Sequence, residues 1–250
     1  MTRLRRMGCW LFASAMGAFG VQHFMYRRLG SGLAPPWAPV GTLWACTMGA
    51  VLLIAAVTLA SNKIPALGAA LLAIALALRF TLVYLPRVVA NIHDPGPWTS
   101  GFEILAMCGS ALVLLGSAHP PLRAAGSASS SVSLGRFLFA SLLLVVGAQH
   151  FRYAGFVATL VPAWMPWRLF WAYFVGTAFF AAALAIMTGK LARLAATLLG
   201  TMFLIFVITV HAPRISGKLH DGNEWTSGFV ALAMGGGGFA LAGALARTDS

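Results

Sequence analysis

A small set of residues able to do chemistry recurs along this chain at one fixed spacing. Gln22 and His23 close the first long apolar run, and Arg87, His93, Asp94 and Trp98 fall between two later ones. The same set returns 127 positions on as Gln149, His150, Arg214, His220, Asp221 and Trp225. Two histidines and an aspartate per copy could hold a metal, although their spacing follows no recognised ligand signature. Haem would want paired axial histidines deeper in a bundle. A quinone-like ring, hydrogen-bonded by Gln22 and His23 between aromatic walls, would use the same groups without a metal. A hydrogen-bond network with no ligand would also account for them, since an ionisable group near hydrocarbon needs a partner. Pro35, Trp37, Pro39 and Trp98 have a plainer reading as turns and interfacial anchors.

Two charges stand deeper. Arg79 lies within an apolar run about six residues from its end, and Glu103 lies a few residues into the next run. Their equivalents 127 residues later are Phe206 and Val230, so both charges are present in one copy and both absent in the other. That joint exchange predicts an intramembrane ion pair between Arg79 and Glu103, with snorkelling of Arg79 to the interface as the rival reading. Ser100 with Glu103 three residues on also has the form of a capping box.

The elements that must position these groups are helices in a bilayer. The chain is 60% hydrophobic and 9% charged, with a mean hydropathy of +0.85, well below the charged fraction of soluble domains. Eight apolar runs have the length of about 20 residues that a spanning helix requires: roughly 7–27, 41–60, 65–85, 99–117, 135–154, 168–188, 191–211 and 226–246. The net charge of +12 is spread singly over short loops, which argues against nucleic acid and for the lipid surface as the partner of these cations. Cys9, Cys46 and Cys108 lie in apolar runs with no C-x-x-C spacing, so they read as buried free thiols.

An ungapped shift of 127 residues superimposes the two halves of the chain. Gly20, Gln22, His23 and Phe24 fall on Gly147, Gln149, His150 and Phe151, and Trp98–Phe102 falls on Trp225–Phe229. Pro35, Trp37 and Pro39 fall on Pro162, Trp164 and Pro166. Met1–Gly20 imitates a signal peptide, but its Leu11–Ser14 recurs as Leu138–Ser141 deep in the chain, so it reads as a structural helix. Each copy holds four spans and so enters the membrane in the same direction. The fold class expected is all-α: a polytopic protein of eight transmembrane helices, arranged as two parallel-repeat four-helix bundles. Residues 1–117 form one unit, 135–250 the other, and 118–134, with its serine run, a flexible linker. The loops on the side of the termini carry nine basic residues and the opposite loops seven, which places both termini in the cytoplasm. His23 should then meet the Arg87–Trp98 loop, and His150 the Arg214–Trp225 loop, as one polar site per half on the far face.

The pattern G-x-Q-H-F, then P-x-W-x-P, then a four-helix unit closing on a Trp-led helix, resembles the DoxX-like family. Each half covers about one family unit. The resemblance implies a bacterial-type inner-membrane protein associated with redox partners, and the expected function is a component of a membrane redox system that binds a quinone-like lipophilic molecule. The alternative is a non-catalytic protein for lipid or small-molecule transport or for assembling partners.

Overall fold

The computed structural model describes residues 3–26, 41–118 and 127–245, and all regular structure among them is helical. Arg27, Arg28, Pro35, Trp37, Pro39, His119, Pro120, Pro121, Arg123 and Arg247 lie outside the described residues. The first half contains α1 (Arg3–Met25), α2 (Gly41–Ser61), α3 (Pro65–Arg79), α4 (Leu85–Ala90) and α5 (Pro95–Ala118). The second contains α6 (Ser127–Arg152), α7 (Ala154–Leu160), α8 (Arg168–Thr188), α9 (Ala192–Phe206), α10 (Ala212–Gly217) and α11 (Gly222–Leu245). The starts of α2, α3, α4 and α5 and those of α8, α9, α10 and α11 are each 127 residues apart.

Seven stretches are long and apolar enough to cross a bilayer: α2, the rod Pro65–Ala90, α5, Ser130–Arg152 of α6, α8, the rod Ala192–Gly217, and α11. The chain is a multi-pass helical membrane protein. α1 is 23 residues long but less apolar, with Arg3, Arg5 and Arg6 at one end and Gln22 and His23 at the other. Large apolar side chains face outward along these rods, among them Ile54, Val57, Ile74, Leu78, Phe170, Leu184 and Leu198. A lipid environment makes such a surface favourable, and helices suit it because their interior backbone groups are paired within the helix.

Two local expectations are corrected. α6 begins at Ser127, inside the stretch read as linker, and Val132 and Leu138 hold its early turns against the core. α5 begins at Pro95, so Ser100 is interior to it and no capping box forms there. Asp94 is the cap: its Oδ1 accepts from the Gly96 N–H at 2.9 Å, with Pro95 in the first turn where its missing N–H is harmless.

Each long rod of the third position contains a π-helical turn, Phe80–Tyr84 between α3 and α4 and Val207–His211 between α9 and α10. Pro86 and Pro213 cause them. A proline inside a helix lacks the N–H and crowds the carbonyl four residues back. The chain widens so that the N–H just before each proline reaches five residues back, Leu85 to the Phe80 carbonyl and Ala212 to the Val207 carbonyl.

Around the molecule, neighbours follow the order α1, α2, α3, α5, α6, α8, α9, α11 and back to α1, with α5 also touching α11 across the centre. The most extensive joints, α5 with α6 and α1 with α11, run between the halves. Two separate four-helix bundles are therefore not what forms; the first helix of each half leans on the last helix of the other. Glycine permits this approach. A Cβ on Gly109 would lie 2.5 Å from the Gly135 carbonyl oxygen, and one on Gly236 2.6 Å from the Phe12 amide nitrogen. Small residues at helix contacts replace, within lipid, the hydrophobic drive that water provides elsewhere.

Candidate functional site

A cavity of about 650 Å³ lies between α1, α2, α3 and α5, with the start of α11 at its rim. His23 and Arg79 enter it from α1 and α3, both nearly buried at 5% and 6% exposure. The Arg79 guanidinium donates from Nη1 to His23 Nε2 and from Nη2 to the Tyr84 hydroxyl at 3.4 Å, and its Cζ stands 5.6 Å from the Tyr84 ring centre. Since arginine only donates, Nε2 must be the accepting nitrogen of His23. Nδ1 then carries the proton, which it gives to the Phe19 carbonyl at 2.7 Å.

The ion pair expected between Arg79 and Glu103 does not form. Both line this cavity, yet among the described residues the ion pairs are Arg214–Glu224 and Lys218–Glu224. The physical reason is local: His23 reaches from α1 to the guanidinium, and the π turn brings Tyr84 beside it. Glu103 projects from α5 and also lines the second cavity, as does its repeat equivalent Val230. These two residues stand where α5 crosses α11, on the wall between the cavities.

The second cavity, about 510 Å³, lies between α6, α7, α8, α9 and α11. Trp164, Trp171, Phe174, Phe179, Phe203 and Phe206 stand in its walls among aliphatic side chains, and Glu103, His150, His211 and Arg214 are its main polar groups. His150 donates from Nδ1 to the Val146 carbonyl at 2.7 Å and meets the Phe179 ring edge-on at 5.2 Å between centroids. About half of the first cavity's lining positions recur in the second under the 127-residue shift. Leu52, Leu76, Arg79, Tyr84 and Glu103 of the first become Phe179, Phe203, Phe206, His211 and Val230 of the second. One copy of the site is charged and the other aromatic.

The remaining predicted site residues divide. His220 and Asp221 do line a cavity, but it is the first one, across the molecule from their own half. Arg87, His93, Asp94 and Trp98 are not among the described residues lining either cavity. Trp98 Nε1 donates to the Ile92 carbonyl at 3.0 Å and Trp225 Nε1 to Leu219 at 2.9 Å, so both indoles close their own loops. Arg214 lines the second cavity with His150 of its own half, whereas the expectation of one polar site per half is corrected for Arg87, His93 and Asp94, which line neither cavity, and for His220 and Asp221, which line the first. The cause is the crossed packing: Thr226 Oγ1 donates to Gln22 Oε1 at 3.3 Å, and Thr99 Oγ1 to Gln149 Oε1 at 2.8 Å, so each glutamine binds the other half. These two contacts are repeat equivalents of one another, as a two-fold interface requires.

Three residues were missed. Tyr84 and His211 are aimed by the π turns, which the repeated Pro86 and Pro213 could have signalled. Glu224, at 6% exposure, accepts from Arg214 Nε at 2.9 Å and Nη2 at 3.1 Å and lies 3.6 Å from Lys218. It binds α10 to the first turn of α11, where a carboxylate also suits the helix dipole. Cys9 and Cys108 are buried free thiols donating to the Leu59 and Ala73 carbonyls, and Cys46 is half-buried. Among the described residues no three histidine, cysteine, aspartate or glutamate side chains gather as a metal site.

A family model described as a domain of unknown function, DUF8561, matches residues 139–227. The match runs from within α6 to the first turns of α11 and includes the residues lining the second cavity except Glu103, Val230 and Met234. No curated protein and no solved structure matches the chain.

Proposed function

We propose that this chain is a DoxX-like inner-membrane protein of bacterial type, a component of a membrane redox system that binds a quinone-like lipophilic molecule in its second cavity. In this reading all eight long rods cross the bilayer as two parallel repeats related by a pseudo-two-fold axis along the membrane normal. An even number of spans per repeat gives both copies one direction, and the excess of arginine and lysine beside the termini puts those in the cytoplasm. The cavity mouths then face the extracytoplasmic side.

The observation that carries the reading is the second cavity itself, apolar, walled by six aromatic rings and furnished with few polar groups. Its volume of about 510 Å³ is that of a pocket for a substituted ring, and offset or edge-on contacts with Trp and Phe favour a planar guest. His150 adds direction. Its Nδ1 proton is engaged by Val146, so the neutral ring presents an acceptor at Nε2, suited to the hydroxyl of a reduced, quinol-type ring. Electrons would come from or go to a partner protein in the same membrane, as the DoxX-like resemblance implies.

The test is solvent extraction and redox difference spectroscopy of the purified protein. A quinone recovered at near one per chain, and reduced at least about fivefold in His150→Phe and in Trp171→Ala protein that still folds, is the expected result. Protein free of quinone that also fails to bind an added short-tailed quinone would remove the proposal.

A further inference from the structure

We infer that the first cavity is a binding site for a zwitterion, taking the ligand's anionic group at Arg79 and its ammonium group at Glu103. This site shares Glu103 with the wall of the second cavity and does not depend on the quinone-like reading.

Arg79 is 6% exposed, and its two partners, His23 and Tyr84, are neutral hydrogen-bonding groups that orient the guanidinium without balancing its charge. Its Nε has no hydrogen-bond partner among the described residues. Glu103 lines the same cavity and makes no hydrogen bond or ion pair among the described residues. A guanidinium and a carboxyl group thus line one space of about 650 Å³ and form no ion pair with each other. A buried charge is retained at a cost unless something pairs it.

The second copy shows that the fold itself does not ask for these charges, since Phe206 and Val230 hold the same positions there. A ligand of one sign would answer one charge and be repelled by the other. Asp221 at the rim, whose Oδ1 accepts from the Asn223 N–H at 2.9 Å, adds its carboxylate to the side that takes the ammonium. Gln22, Asn223 and Thr226, also at the rim, are neutral and admit either sign. A molecule carrying an oxyanion and an ammonium a few bonds apart satisfies both walls at once. Two sources have that chemistry, a free α-amino acid and a phosphoethanolamine lipid head group.

The experiment is thermal unfolding of the purified full-length protein, read by tryptophan fluorescence, with four probes: alanine, short-chain phosphatidylethanolamine, short-chain phosphatidate and butylamine. A ligand that binds only the folded state raises the unfolding temperature with its concentration. One of the two zwitterions should bind at least about tenfold more tightly than the phosphatidate or the amine, and which one does so names the source. Arg79→Gln and Glu103→Gln should each weaken that binding by about tenfold or more. The double variant Arg79→Phe with Glu103→Val, which installs the side chains found in the second half, should fold and not respond to the zwitterion. Binding of neither zwitterion, equal binding of a single-charge probe, or a double variant that still binds would each overturn the inference.

Discussion

His23 and His150 occupy equivalent positions and make the same first contact, Nδ1 to the carbonyl four residues back at 2.7 Å. They differ only in what meets Nε2: the Arg79 guanidinium for His23, and a cavity walled by Phe179 and Phe206 for His150. His23→Ala should therefore destabilise the protein more than His150→Ala, by about 1–3 kcal/mol, because it leaves a buried guanidinium N–H without an acceptor. Equal losses in denaturant titration would show that the Arg79–His23 link contributes nothing to stability. Glu224 makes the other buried polar contact of consequence. Glu224→Gln keeps the shape and loses the charge-assisted pair with Arg214, which should free α10 from α11. Trypsin cleavage after the exposed Lys218 is expected to accelerate several-fold, and an unchanged cleavage rate would assign the pair no structural role.

At the scale of the element, prolines and glycines do most of the shaping. Pro213 forces the π turn that carries His211 to the second cavity. Pro213→Ala permits ordinary α-helical bonding, and removing one residue's worth of widening turns the preceding segment by about 100°. The expected outcome is protein of unchanged or higher thermal stability that has lost most of its extracted quinone; full retention would show that the turn does not position the site. Gly135 and Gly155 form a contrasting pair. A Cβ on Gly135 meets the Gly109 carbonyl at 2.5 Å, whereas one on Gly155 meets nothing within 4 Å. Gly135→Ala should lower stability by about 2 kcal/mol or more and Gly155→Ala by almost nothing, as thermal unfolding of the two variants will report.

For the whole molecule, the crossed arrangement is the main consequence. α1 lies against α2 and α11, and α6 against α5 and α8, so neither half surrounds its first helix by itself. Residues 1–122 and 123–250 expressed as separate chains should therefore co-purify as a one-to-one complex. The first fragment alone should self-associate, its α1 seeking the α11-like face of α5 in another copy. A stable monomeric first fragment would contradict this view. The two cavities also differ in lining, Arg79 and Tyr84 facing the first where Phe206 and His211 face the second.

Helical class, membrane residence and the repeat were legible in the chain itself, because hydropathy and a constant offset are properties of residues in order. His23, Gln22, Arg79, Glu103, His150, His220, Asp221 and Arg214 were marked for the same reason: polar side chains inside or beside apolar runs stand out without coordinates. Which of them meet was not legible. The sequence pairs Arg79 with Glu103 by joint substitution, yet both can line one cavity without touching, and exchange at two positions reports a shared environment as readily as a contact. It likewise assigns each third loop to its own half, because chain proximity is all that order reveals. The close glycine contacts of α1 with α11 and α5 with α6 change that assignment for His220 and Asp221, which reach the first cavity, while Arg214 stays with His150. Packing in lipid is decided by the fit of helix surfaces over their whole length, and that fit exists only once the tertiary structure has formed.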